Sequence, residues 1–288
     1  MNGPPLRAAT FIDKGGTGKT TTAAHLGVAL ANHGYDVLLL DLAGKQGDLA
    51  KHFGVWDVVR EDLETRDDWP NISTVFDENW PRIVDRLGDA AVDELIIEAS
   101  EGVDLVPAHP GLDSLDAELA NIENAEKRYS RLNEFLTEYV DPLDYDIVLI
   151  DLPGLTNNVS YNGLWAAQHI VAPVEAGEFE AEQAAALQAD LAEFSDRFNV
   201  DVQLTMLLPN KIDQRTTLAE EYLEQFQADY PDAVAPAHIP TSQDIRNAAR
   251  EGETVFAREQ VSATAERAQN AFIEDAEELV KRLRRARS

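Results

Sequence analysis

The segment Lys14-Gly15-Gly16-Thr17-Gly18-Lys19-Thr20 lies between a short apolar run, Ala8 to Ile12, and a helical pattern, Thr21 to Asn32. Strand, glycine loop and helix in that order build one geometry, a tight turn whose backbone N–H groups face an anion at a helix N-terminus. Gly15, Gly16, Thr17, Gly18 and Thr21 would supply backbone contacts to phosphate oxygens. Lys19 is placed to reach the terminal phosphates of a nucleotide, and the Thr20 hydroxyl to ligate Mg²⁺. A strict G-x-x-x-x-G-K-T pattern needs glycine at position 13, where Asp13 stands. Lys14 adds a second ammonium that an ordinary phosphate loop lacks. The plain alternative is a glycine-rich turn that only starts a helix.

Apolar runs near 8–12, 36–41, 103–107, 146–151, 169–174, 202–208 and 234–239 alternate with helical patterns. Such alternation predicts an α/β fold, a doubly wound, mainly parallel sheet flanked by helices, in one domain over 1–288. Ligands on such sheets sit at the carboxyl ends of the strands, where Asp13–Lys19, Asp41 and Asp151 fall. Residues 56–100, with Trp56, Trp69, Pro70 and Trp80 among many acids, are expected to form a helical insertion on the same domain. Residues 261–287 read as a terminal helix, acidic first and basic last, which suits the helix dipole.

Acidic residues outnumber basic ones 53 to 24, a formal charge of −29. Such a surface repels itself in dilute buffer and is screened in concentrated salt, so adaptation to a salt-rich cytoplasm such as a haloarchaeon's is expected. An acidic partner-binding surface is the alternative, although the acids are spread along the whole chain. With no cysteine, disulfides and thiolate metal sites are excluded. No run reaches the ~18 apolar residues of a membrane span, and Met1 to Arg7 is too short and polar for a signal peptide. A cytoplasmic protein is expected.

Lys14-Gly15-Gly16-Thr17-Gly18-Lys19-Thr20-Thr21-Thr22 resembles the deviant Walker A motif of the ParA/MinD family of dimeric ATPases. Tyr35 to Asp41 is similar to the family's second strand, and Tyr145 to Asp151 to its Walker B strand. The absence of cysteine sets the chain apart from relatives that combine this loop with iron–sulfur clusters or cysteine metal sites. The resemblance implies ATP and Mg²⁺ as cofactors, with Thr20 and Asp151 at the metal, and a homodimer formed on ATP binding. It also implies that Lys14 crosses the subunit interface to the partner's ATP, so that Lys14, Lys19 and Asp41 serve catalysis. Residues 152–164 match the second switch, with Asn157 and Asn158 in its mobile part.

The first switch departs from the family pattern. Asp-x-Asp-Pro-Gln-Gly-Asn is usual, whereas this chain has Asp41-Leu42-Ala43-Gly44-Lys45-Gln46-Gly47-Asp48. Ala43 replaces the second acid and cannot orient water. Hydrolysis is then slow, or uses Asp48, or proceeds by positioning and Mg²⁺ alone. Asn210-Lys211-Ile212-Asp213 matches the N-K-x-D pattern that reads guanine, while the family resemblance places Asn210, Pro240 and Asp244 around adenine.

Many ParA relatives bind DNA without sequence preference, and MinD relatives bind membrane through an amphipathic tail. Lys281, Arg282, Arg284 and Arg285 form the most basic patch, and Arg246 and Arg250 would extend it as a DNA-binding surface. The alternative is a solvated helix end. Few aliphatic anchors and no aromatic make membrane insertion weak. The resemblance therefore implies a weak ATPase that partitions DNA or other cargo with a ParB-like or cargo-adaptor protein, associated with the nucleoid. Its rivals are an ATP-locked binding switch and a MinD-like spatial regulator.

Overall fold

The computed structural model describes residues 3–44, 47–65, 70–88 and 90–287. Lys45 and Gln46 of the first switch, and Trp69, lie outside them. Among the described residues seven strands form one sheet: β1 (Leu6–Thr10), β2 (Val37–Asp41), β3 (Ile97–Glu98), β4 (Val103–Val106), β5 (Ile147–Asp151), β6 (His169–Val174) and β7 (Gln203–Pro209). Their order is β3-β4-β2-β5-β1-β6-β7. All neighbours are parallel except β3, which runs antiparallel on β4 at the edge.

The helices up to the second switch are α1 (Lys19–Asn32), α2 (Asp48–His52), α3 (Trp56–Thr65), α4 (Trp80–Leu87), α5 (Ala90–Asp93), α6 (Leu112–Ala120), α7 (Ala125–Tyr129) and α8 (Arg131–Phe135). Beyond it come α9 (Asn158–Ala167), α10 (Glu178–Phe198), α11 (Thr217–Asp229), α12 (Gln243–Glu251) and α13 (Ala263–Arg287). Within 56–100 the described residues form α3, α4 and α5 and the short strand β3.

Because strand side chains alternate, each strand divides between two cores. Leu38, Leu40, Val148 and Ile150 face a core shared with α8, α9 and α10. Val37, Leu39, Ile147 and Leu149 face a core shared with α1 and α13. Burial on both faces makes these strands read as unbroken apolar runs.

The run 234–239 is a correction. It forms only isolated bridges, Leu207↔Val234 and Ile212↔Pro240, rather than an eighth strand. Ala235 and Ile239 donate to the Leu207 and Pro209 carbonyls of β7 at 2.8 Å, but the Ala237 N–H between them turns to Asp275 Oδ1 at 3.0 Å, which interrupts the ladder.

Helix α1 is fastened by a fully buried histidine. His25 stacks on Phe272 of α13 with centroids 4.8 Å apart, and its Nδ1 lies 2.8 Å from the Thr21 carbonyl. Its Nε2 accepts from the Val255 N–H at 3.2 Å, so the ring must donate from Nδ1 and stay neutral. Burial, with His52 nearby, pushes its pKa down to about 3. A depressed histidine stabilises the fold fully above its unfolded pKa and loses that contribution as pH falls through about 6.5 toward 3. Urea unfolding at pH 7.5 and 5 should therefore show wild type losing about 2 kcal/mol more than His25→Gln over that interval. Equal losses would contradict the assignment.

Candidate nucleotide site

The glycine loop leaves the carboxyl end of β1 and turns into α1 through two left-handed glycines, Gly16 (φ 82°) and Gly18 (φ 97°). Lys19 folds its ammonium under the loop, 2.6 Å from the Lys14 carbonyl and 3.2 Å from the Ile12 carbonyl. Its pKa is lowered by burial, against the opposing pull of Asp151 and Asp13. A buried ammonium spanning the loop's own carbonyls holds the backbone curved, with its N–H groups left for an anion.

Parallel pairing of β2 with β5 sets Asp41 beside Asp151. Asp41 accepts from the N–H groups of Ala43 (2.9 Å) and Leu49 (3.3 Å), closing the first switch on itself. Asp151 accepts from the Thr10 hydroxyl at 2.8 Å and bonds the Thr20 side chain. Burial and the neighbouring Asp151 push Asp41 up to about 8, and burial pushes Asp151 up to about 6. Among the described residues, Asp151 Oδ2 is buried without a hydrogen-bond partner. Two desolvated carboxylates and one ammonium leave the site short of positive charge, and a hard divalent cation with oxygen ligands fits that deficit. Asp48 is exposed on α2 and paired with Lys51 at 3.1 Å.

The second switch is bound to the loop. A β-carbon on Gly154 would lie 2.7 Å from Lys19 Nζ and 2.8 Å from the Lys14 carbonyl, so only glycine lets this segment approach. The Thr156 hydroxyl donates to Asp13 Oδ2 at 2.8 Å, a role for the residue that replaces the usual glycine. Asn157 caps α9, accepting from the Ser160 N–H at 2.8 Å. Asn158 is fastened to Asp116 of α6 through its N–H and side-chain amide.

Asn210 and Lys211 brace the loop from behind. Asn210 Nδ2 donates to the Thr17 carbonyl at 2.8 Å, and Lys211 Nζ donates to the Gly16 carbonyl and to Glu175 at 2.8 Å. Asp213, the last residue of the N-K-x-D match, is held by Arg215 through two bonds of 2.8 Å, which pulls its pKa down to about 2. Pro240 bridges to Ile212 beside this group. Asp244 does not face it freely, because its carboxylate accepts from the N–H and hydroxyl of Ser262 and so ties α12 to the start of α13.

The expected basic surface is divided. Arg282 donates to the carbonyls of Thr205, Ala233 and Val234 and to Glu278, which makes it an internal staple rather than a DNA contact. Its half-buried guanidinium ties α13 to β7 and to the 233–234 segment beside it. Arg284 lies over the Tyr35 ring at 5.7 Å, whereas Lys281 and Arg285 are exposed. Arg246 and Arg250, exposed on α12, adjoin the start of α13, while 281–285 stand at its far end. At 1.5 Å per residue the two groups are roughly 20 to 30 Å apart. The apolar side chains of the tail, Leu279, Val280 and Leu283, are buried in the core. Among the described residues no helix is long and apolar enough to cross a membrane.

Sequence reasoning missed Thr10, Glu175, Glu180 and the bracing role of Lys211. Of these only Thr10 left a local signal, a polar residue ending an apolar strand.

An AAA domain family model matches residues 8–204. The chromosome-partitioning ATPase Soj of Thermus thermophilus is 30% identical over 280 residues, covering 97% of this chain and 97% of that protein. The chromosome partitioning protein ParA of Caulobacter vibrioides is 28% identical over 258 residues, 89% of this chain and 88% of that one. Among solved structures, a cobyrinic acid a,c-diamide synthase of Mycobacterium smegmatis, with bound ATP analog and magnesium, superposes with a TM-score of 0.72. It is 25% identical, with 96% and 95% of the two chains covered. A putative plasmid partition protein of Borrelia burgdorferi bound to AMPPNP has the same fold, with a TM-score of 0.71, 19% identity and coverage of 98% and 99%.

Proposed function

Since this chain belongs to the ParA/MinD family of AAA-domain ATPases, we propose that it is a Mg-ATP-dependent dimerising ATPase that partitions DNA or another cargo. The observation that carries this reading is the pair of buried carboxylates, Asp41 and Asp151, beside Lys19 and Thr20, with Asp151 Oδ2 lacking a partner among the described residues. Thr20 and Asp151 would hold Mg²⁺, which would offset charge on the phosphates. The loop N–H groups and Lys19 orient the triphosphate. Gly154 would carry the second switch toward or away from the loop as the terminal phosphate binds or leaves. Lys14 would meet the phosphates bound by a second copy, so that subunit pairing depends on nucleotide. ATP is favoured over GTP because Asp213, the group that would read guanine, is already bound by Arg215.

A second reading, an ATP-locked dimeric switch, is favoured by Ala43. Its methyl cannot order water, and its N–H is engaged with Asp41. Single-turnover phosphate release in molar KCl separates the two: release within minutes to hours supports the ATPase, and none leaves the switch. Membrane regulation is disfavoured because the aliphatic residues of the tail are spent in the core. A DNA surface would rest on Lys281 and Arg285 or on Arg246 and Arg250, doubled by dimerisation, with a ParB-like or adaptor protein stimulating turnover. The dispersed acids suit a salt-rich, haloarchaeal interior with the protein in the cytoplasm or at the nucleoid.

Lys14→Ala should abolish ATP-dependent dimers in light scattering while changing nucleotide affinity less than about threefold. Unchanged dimers would refute the cross-subunit role.

A further inference from the structure

Lys14 is not free in solvent. Its Nζ lies 2.5 Å from Glu180 Oε1, on the first turn of α10, with the two side chains 33% and 20% exposed. This bond holds the Glu180 carboxyl below its usual range. The carboxylate reaches the loop by folding back over Gly177, where a β-carbon would stand 2.3 Å from Glu180 Oε2. The glycine thus leaves the space that the ion pair requires. Phe179, the residue before Glu180, is 74% exposed, and Leu155 of the second switch is 49% exposed. The segments that carry Glu180 and the switch glycine Gly154 thus leave large apolar side chains exposed in a single subunit.

We propose that Glu180 is an internal stand-in for phosphate, a latch that holds Lys14 within its own subunit until nucleotide on a second copy displaces it. This rests on the role proposed above for Lys14. An ammonium satisfied by a carboxylate gains less from a phosphate than a free one, because one charge-assisted bond must break before the other forms. Both latches open in a symmetric pair, so their cost enters the dimerisation constant twice. Glu180 in this way raises the ATP concentration at which subunits join, and keeps the nucleotide-free protein monomeric.

Two variants open the latch by different means. Glu180→Gln keeps the shape and removes the charge. Gly177→Ala keeps the charge and sets a β-carbon in the path of the carboxylate, whose flexible end can swing aside at little cost to the fold. Analytical ultracentrifugation across an ATP titration should show both dimerising at roughly three- to tenfold lower ATP than wild type. The difference should shrink between about 0.2 M and 2 M KCl, since a part-exposed ion pair is screened by salt. If wild type dimerises with ATP and both variants join at its ATP concentration, the latch is wrong and the dimerising reading stands. If neither wild type nor variants dimerise at saturating ATP, the role of Lys14 fails and the latch with it. Should Gly177→Ala lose its cooperative thermal transition, Glu180→Gln alone decides.

Discussion

Lys19→Ala should reduce ATP affinity by about a thousandfold or more, measured by titration with a fluorescent ATP analogue. The size of the effect follows from three losses at once. The triphosphate loses its nearest buried cation. The carbonyls of Ile12 and Lys14, which Lys19 spans at 3.2 and 2.6 Å, lose their donor, so the loop is no longer held curved. Asp151 loses the ammonium that offsets its burial, which makes its charged, metal-binding form harder to reach. Affinity within about threefold of wild type would remove Lys19 from the phosphate site.

Asp151→Asn should move stability and activity in opposite directions. Asp151 is fully buried, next to Asp41, and its pKa is raised to about 6. A carboxylate whose folded pKa lies above its unfolded value, near 3.8, opposes folding once pH exceeds that value, and the penalty is complete above the folded pKa. At pH 8 the amide should raise the stability of the nucleotide-free protein by about 1–3 kcal/mol, since Asn still accepts from Thr10 and can donate to Asp41. Phosphate release in the presence of Mg²⁺ should fall by about a hundredfold or more, because a neutral amide is a poor ligand for a hard dication. Thermal melting at pH 8 and single-turnover release check the two halves. A variant both less stable and fully active would overturn the view that this carboxylate is kept at a cost to the fold for the sake of the metal.

The phosphate loop, the two acids ending β2 and β5, and the parallel sheet were all legible in the chain. Each is written in local terms: glycines where φ must be positive, apolar runs of strand length, an acid at the run's end. The first switch was legible as a departure at Ala43, whose N–H donates to the Asp41 carboxylate at 2.9 Å. The stretch 234–239 misled because its apolar content suits a strand, while the Ala237 N–H leaves the ladder for the Asp275 carboxylate. The basic tail misled for another reason. Charge composition does not say where a guanidinium points, and Arg282 and Arg287 turn inward to backbone carbonyls. The guanine motif was read by its letters, yet Asn210 and Lys211 hold the loop and Asp213 is bound by its own neighbour.

Sequence alone determined the class of ligand and the layered α/β plan, because turn chemistry and apolar runs of strand length act over a few positions. Tertiary structure decided which charges meet. Lys14 and Glu180 are 166 residues apart, Thr10 and Asp151 are 141 apart, and Lys211 reaches back 195 residues to Gly16. Such pairings arise only when strand order brings distant loops to one edge of the sheet. There burial removes water, and each charge must find a partner within the protein or be left for a ligand.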